Sequence, residues 1–234
     1  MTSTLEGKLA LVTGASRGVG ATTAQTISEA GAEVVLVARS RKELEQVEGQ
    51  IHDQGGHAIL APMDLCAGDH ILGLADELMR RFGRLDILIH AAATLGPLSP
   101  VSHITDKDWD HVMALNARAS FQIIRGFDPL LQASEEGKLI MVTSSVARKP
   151  RAYWGPYAAS KAVLEMLALT YAEEQRNVSN LKVAILDPGA TRTEMRAEAF
   201  PGEDPQQLKP PQAVARKLLE IILSDYESGS YFSC

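Results

Sequence analysis

The chain has 234 residues, 45% of them hydrophobic, a formal net charge of −6 and two distant cysteines, Cys66 and Cys234. That length supports one complete core, so residues 1–234 are read as a single domain. The negative balance gives non-specific nucleic-acid binding no electrostatic support, and the cysteines form neither a disulfide framework nor a C-x-x-C metal pair. No apolar run approaches the ~20 residues of a bilayer span, and no basic stretch followed by an apolar one opens the chain as a secretory signal does. The expectation is a cytoplasmic protein with no membrane or nucleic-acid partner and no metal.

A short apolar run at residues 9–12 is followed by a helical pattern over 22–30. Similar runs follow at 34–37, 58–61, 86–89, 139–142 and 183–186. None alternates with polar residues, which is how strands buried on both faces of a parallel sheet read. Helical patterns lie between them, over 41–52 and 69–82. Thr105-Asp-Lys-Asp108 resembles a capping box, with Asp for the usual Glu, and opens a long helix toward Leu131. Pro156 suits the start of another helix that runs to about Gln175. Residues 194–211 hold Pro201, Gly202, Pro205, Pro210 and Pro211 and read as a surface loop or substrate lid. A helix over 213–223 follows, and 229–234 supplies a short last strand. The β-α alternation predicts an α/β fold: a Rossmann-like, doubly wound parallel sheet in a three-layer α/β/α domain.

The loop Thr13-Gly14-Ala15-Ser16-Arg17-Gly18-Val19-Gly20 joins the first strand to the first helix. Glycines let the backbone turn sharply and approach a ligand, and the helix N-terminus offers free N–H groups to a pyrophosphate. The same residues match G-x-S-x-G, the nucleophile elbow of α/β-hydrolases. A hydrolase needs a histidine late in the chain, and the last one here is His111. In dinucleotide-binding folds a carboxylate ending the second strand takes a ribose 2′-hydroxyl, and an arginine there takes a 2′-phosphate. This strand runs into Ala38-Arg39-Ser40, and no acid follows until Glu43. Arg39 and Arg17 bracket one phosphate from two loops, so NADP(H) is expected rather than NAD(H).

Tyr157 and Lys161 stand four residues apart, on one face of the predicted helix, with Lys161 leaning back toward Tyr157. Carbonyl reduction needs a proton donor at oxygen while hydride arrives at carbon. A free phenol titrates near ~10, and a nearby ammonium or an oxidised nicotinamide lowers that value. Ser144 follows the fifth strand, where active sites of open α/β sheets gather, and its hydroxyl suits an oxygen that gains charge.

Together these motifs resemble the short-chain dehydrogenase/reductase family over nearly the whole chain. The glycine loop, Asp64-Leu65, residues 86–93, Asn116, Ser144, Tyr157/Lys161 and Pro188-Gly189 stand in the family's order. The resemblance implies that Tyr157 is the general acid/base and that Lys161 is its activator and ribose anchor. It implies that Ser144 orients the substrate oxygen and that Asn116 holds a water of the proton relay. Gly14, Ser16, Arg17, Gly18, Val19, Gly20 and Arg39 would hold the phosphates, and Asp64 and Leu65 the adenine. Ala91 and Ala92 would also bind the cofactor, and Pro188, Gly189, Thr191 and Thr193 would line its nicotinamide and phosphate side. A homodimer or homotetramer, formed through the helices of Asn116 and Tyr157, is expected on the same ground. The stretches Thr191-Arg-Thr-Glu-Met-Arg196 and Ala199-Phe-Pro-Gly-Glu-Asp-Pro205 resemble a narrower bacterial group, the YciK-like oxidoreductases.

The fourth strand departs from the pattern, reading His90-Ala91-Ala92-Ala93 where the family has Asn-Asn-Ala-Gly. The expected function is an NADP(H)-dependent oxidoreductase acting on a small carbonyl or secondary-alcohol compound. The altered strand end supports an alternative, an NADP(H)-binding protein with little catalytic activity that acts as a sensor or interaction partner. Arg148, Arg151, Arg192 and Arg196 cluster near the expected pocket and suggest an anionic substrate; salt bridges to Glu194, Glu198 and Glu203 explain the same residues.

Overall fold

The computed structural model describes residues 4–234. Each of the six apolar runs forms a strand, β1 (Leu9–Thr13), β2 (Glu33–Ala38), β3 (Ala58–Pro62), β4 (Ile87–His90), β5 (Lys138–Val142) and β6 (Lys182–Asp187), and the tail adds β7 (Ser230–Ser233). All pair in parallel in the order β3-β2-β1-β4-β5-β6-β7. The order reverses between β1 and β4, and such a switch point opens a crevice at the carboxyl ends of the strands.

Alternate strand residues feed opposite layers, because successive side chains point to opposite faces. Leu9, Leu11, Val35, Leu88, Met141 and Val183 pack against α3 (Gly68–Phe82), α5 (Ala119–Gln132) and α6 (Gly155–Gln175). Ala10, Val12, Val34, Ile89, Ile140 and Leu186 pack against α1 (Gly18–Glu29), α2 (Arg41–Asp53) and α8 (Pro211–Leu223). With both faces covered, no strand has a polar side to alternate. That is the doubly wound three-layer arrangement expected from the sequence.

Several segments differ from expectation. Helix α1 begins at Gly18, ahead of the pattern over 22–30, because glycines carry no side chain that shows a period. The long helix after Thr105 is interrupted. Thr105 does cap α4 (Asp106–Met113), accepting from Asp108 N at 3.2 Å and donating to its carboxylate at 2.7 Å. A π-helical turn (Ala114–Arg118) then precedes α5, and such turns concentrate at functional sites. Residues 194–211 are also not a plain loop. They hold α7 (Glu194–Ala199) and a 3₁₀ turn (Pro205–Gln207), and Lys209 forms a β-bridge with Thr191. Among the described residues, no helix is long and apolar enough to cross a membrane.

Candidate active site

The glycine loop lies at the carboxyl end of β1, against the end of β4. A Cβ on Gly14 would stand 2.9 Å from Ala92 Cα and N, and Gly14 has φ +68°, so two constraints demand glycine. The turn that carries Thr193 faces Gly18 from the other side. Arg17 and Arg39, expected to share a phosphate, both lie exposed at the rim of this cleft. Arg17 is engaged by Glu194 of α7 at 2.6 Å. Asp64 is exposed and accepts from Cys66 N, whereas Leu65 is buried. Pro188 and Gly189 follow β6; Thr191 is buried and donates to Pro188 O, and Thr193 caps α7.

Below the cleft lies a closed polar network. His90 has no solvent exposure; Nδ1 meets Thr13 Oγ1 at 2.8 Å and Nε2 meets Ser120 Oγ at 3.1 Å. The Ser120 hydroxyl donates to Asn116 O at 2.6 Å, so it accepts from His90. Nε2 therefore carries the proton and Nδ1 accepts from Thr13. Thr13 Oγ1 also accepts from the N–H groups of Ala91 and Ala92, both at 3.2 Å. Burial, and then the charge of Lys161, push the imidazole down to about 3, which keeps it neutral. The altered end of β4 thus leaves this network fully satisfied.

Asn116 is buried in the π turn. Its Oδ1 accepts from Thr94 N at 2.9 Å, and its Nδ2 donates to Thr94 O at 2.8 Å and Ser160 Oγ at 3.0 Å. Ser160 in turn donates to Tyr157 O at 2.8 Å. The side chain braces the start of α6 rather than reaching Lys161.

Tyr157 and Lys161 share one face of α6, and both are buried. The Lys161 ammonium lies 5.9 Å from the Tyr157 ring centroid and donates to Val142 O, at the end of β5, at 2.8 Å. Ser144 follows two residues later, and its hydroxyl pulls the phenol pKa down. In the chain alone the phenol is pushed up to about 12, first by burial and then by Asp187, with Ser144 opposing. The sequence predicts a lowering by Lys161; in the fold, burial and Asp187 set the direction instead. Burial pushes Lys161 down to about 8 against the pull of Glu165.

Apolar side chains surround the phenol: Leu95, Val146, Leu98, Trp154, Met195 and Ala199. Trp154 stands edge-on to Tyr157 at 5.8 Å and beside Phe200 at 5.7 Å. Arg196 lies 3.7 Å from the Phe200 ring centroid, and Arg151 lies 4.5 Å from it. Of the four arginines expected here, Arg148 is bound to Glu165 and Arg196 is held by a two-pronged bridge to Glu203. Arg151 and Arg192 are exposed and make no ion pair among the described residues. A separate cavity of about 360 Å³ opens at the opposite end of the sheet, near Lys8, Ser28 and Arg84, far from this chemistry.

Sequence reasoning missed Ser120, Ser160, Thr143 and Glu165 as parts of the site, and named Thr13 only as the start of the glycine loop. Only Glu165 left a usable signal, an acid four residues beyond Lys161 on the same helical stripe.

Residues 8–204 match a family model described as short chain dehydrogenase. The oxidoreductase YciK of Escherichia coli K12 is 39% identical over 224 residues, covering 94% of this chain and 88% of that one. A short chain dehydrogenase from Shigella flexneri 2a, solved in complex with NADP, superposes with a TM-score of 0.93 at 36% identity, covering 100% of this chain and 99% of that one. One from Escherichia coli CFT073, complexed with NADPH, gives a TM-score of 0.93 at 36% identity, covering 100% and 98%.

Proposed function

Because this chain belongs to the short-chain dehydrogenase family, an oxidoreductase family, we propose that it is an NADP(H)-dependent enzyme acting on a carbonyl or secondary alcohol. The observation that carries this reading is the buried pair Tyr157 and Lys161, one helical turn apart, with Lys161 bonded to Val142 O at the carboxyl end of β5, just before Ser144.

A dinucleotide fits the residues present. The bare backbone of Gly14, Ser16, Gly18, Val19 and Gly20 opens α1, whose first N–H groups lack intrahelical acceptors and suit a pyrophosphate. Arg17 and Arg39 take the 2′-phosphate, and no carboxylate ends β2 to repel it. This agrees with the NADP and NADPH complexes of the two similar proteins. Asp64 and Leu65 serve the adenine, Lys161 the ribose, and Ala91, Ala92, Pro188, Gly189, Thr191 and Thr193 the nicotinamide side. When bound, the reduced cofactor supplies the hydride.

Tyr157 delivers the proton to the substrate oxygen. A phenol held near 12 by burial stays protonated at neutral pH, which is the form that reduction requires. Ser144 orients the same oxygen. Asn116 supports the pair through Ser160, and in the proton relay it is assigned the water suggested by the family resemblance. The apolar wall around Tyr157 suits a substrate with an apolar body, and Arg151 and Arg192 at the rim suit an anionic group on it. Residues 194–211 act as the lid over this pocket. Exposed Phe121, Val163 and Met166 on α5 and α6 support a homodimer or homotetramer through those helices.

The test combines fluorescence titration with NADPH and turnover of a carbonyl panel. Tyr157→Phe is expected to lower kcat by about 10²–10⁴-fold while leaving NADPH binding intact. Undiminished turnover in that variant, or a clear preference for NADH, overturns the reading.

A further inference from the structure

Among the described residues, three carboxylates are nearly closed to solvent: Asp86, Glu165 and Asp187. Asp86 works at the far end of the sheet, accepting from Leu9 N and Ser134. Asp187 accepts from Gly189 N, beside the predicted nicotinamide side. Glu165 continues the stripe of Tyr157 and Lys161 along α6, since positions four apart fall on one face.

We propose that Glu165 is a positioning residue for the Tyr157–Lys161–Ser144 site, clamping the segment that carries Ser144 and supplying the counter-charge of the buried Lys161 ammonium. This rests on the roles given to those residues under Proposed function.

Glu165 holds Ser144 from both sides. Thr143 donates to Oε1 at 2.8 Å, and Arg148 Nε donates to Oε2 at 2.7 Å. These residues bracket Ser144 and the 3₁₀ turn Ser145–Ala147 that follows it. Both carboxylate oxygens are therefore spent on the one segment whose placement sets the Ser144 hydroxyl. The clamp reaches further, because the Arg148 guanidinium lies 3.7 Å from the Tyr231 ring centroid on β7. The Tyr231 hydroxyl then donates to Asp187 Oδ2 at 3.4 Å. The loop after β5, α6, β7 and the end of β6 are thus joined through Glu165, Arg148, Tyr231 and Asp187.

The charge argument is separate. Lys161 is bonded to Val142 O, a neutral acceptor, in a position closed to water. A buried ammonium without a nearby anion gives up its proton easily. The charged and titratable groups facing it are His90 from β4 and Tyr157 and Glu165 from α6; Arg148, after β5, lies behind Glu165. Asp187 of β6 and Tyr231 of β7 lie beyond the phenol and Glu165. His90 is neutral and Arg148 is positive. Glu165 is the group that raises the proton affinity of Lys161 against burial.

The experiment measures NADPH affinity by fluorescence between about pH 6 and about pH 10, with carbonyl turnover alongside, in the wild type and four variants. Wild-type affinity is expected to fall on the alkaline side as Lys161 loses its proton near pH 8. Lys161→Met should abolish that limb. Glu165→Gln keeps both hydrogen bonds, because its amide can face Thr143 and its carbonyl Arg148. It should move the limb at least ~1 pH unit lower. Thr143→Val and Glu165→Asp keep the charge and loosen the clamp. They should lower turnover about tenfold with the limb in place. A Glu165→Gln limb at the wild-type pH overturns the charge role, and full turnover in Thr143→Val overturns the clamp. If Glu165→Gln does not fold, a displaced limb in Glu165→Asp overturns the charge role instead. If Lys161→Met binds and turns over like the wild type, the reading under Proposed function fails with it, which separates the two failures.

Discussion

At the ends of β1 and β4, Thr13, His90, Ser120 and Asn116 are closed to solvent, and each side-chain polar atom has a partner. Across the cleft, residues 148–154 and 192–208 are held by other means. Arg151 and Arg196 stack on Phe200, Arg196 and Glu203 form a half-buried pair, and Arg17 meets Glu194 in the open. Tyr153 adds local strain, since its φ of +75° lies where a bulky residue rarely sits. A buried network has one arrangement, because any unpaired group in it costs about 1–3 kcal/mol. Exposed ion pairs contribute about 0–1 kcal/mol each and can be exchanged for a ligand. The floor is thus fixed by satisfied buried hydrogen bonds, whereas the opposite wall, the roof, rests on weaker exposed contacts.

The comparison breaks most easily at the floor. His90→Leu leaves the Thr13 hydroxyl proton without its acceptor and takes a donor from Ser120, and it should cost about 3 kcal/mol in urea unfolding. A loss below about 1 kcal/mol would put the floor in the same class as the roof. Acidification probes the same residue. The folded imidazole titrates near 3 and an unfolded one near 6.5, so the folded state binds fewer protons between those values. Stability from keeping His90 neutral is complete above pH 6.5 and is lost as pH falls toward 3. By pH 5 this amounts to about 2 kcal/mol, and His90→Gln should remove that part of the pH slope.

Roof substitutions should leave stability nearly untouched and act on ligands. Arg151→Ala and Arg192→Ala are each expected to raise KM about tenfold for acidic carbonyl substrates and not for neutral ones. Unchanged KM removes the anionic-substrate reading. Arg148 is a poor probe of that idea, because its removal exposes the Glu165 clamp. The smallest effect belongs to Glu194→Gln, which frees Arg17. NADPH affinity should rise by less than about threefold, read by fluorescence titration, and a weaker Kd would show that Glu194 assists binding.

The floor was also the part least visible in the sequence. His90 lies 77 positions from Thr13 and 30 from Ser120, so nothing local announces their contact. Asn116 was found as a residue, but its contacts follow from a π turn that shares the helical composition on either side. The fourth strand was expected over 86–89. It forms over Ile87–His90 because Asp86 is drawn to Leu9 N, while polar His90 pairs with Met141 inside the sheet. Helix α7 has six residues, too few to display a period.

Local chemistry by itself determined the seven strands, the layer order, the glycine turn and the Tyr157–Lys161 stripe. Each of these depends on near neighbours in the chain: apolar runs, backbone freedom and the helical repeat. Which charges are free and which are spent was decided only by tertiary structure. Arg148 and Arg196 became structural, Glu165 was brought against Thr143 and Arg148, and burial together with Asp187 moved the phenol up. Hydrogen bonding and desolvation depend on what the fold brings within a few ångströms, and that is a property of the packed molecule.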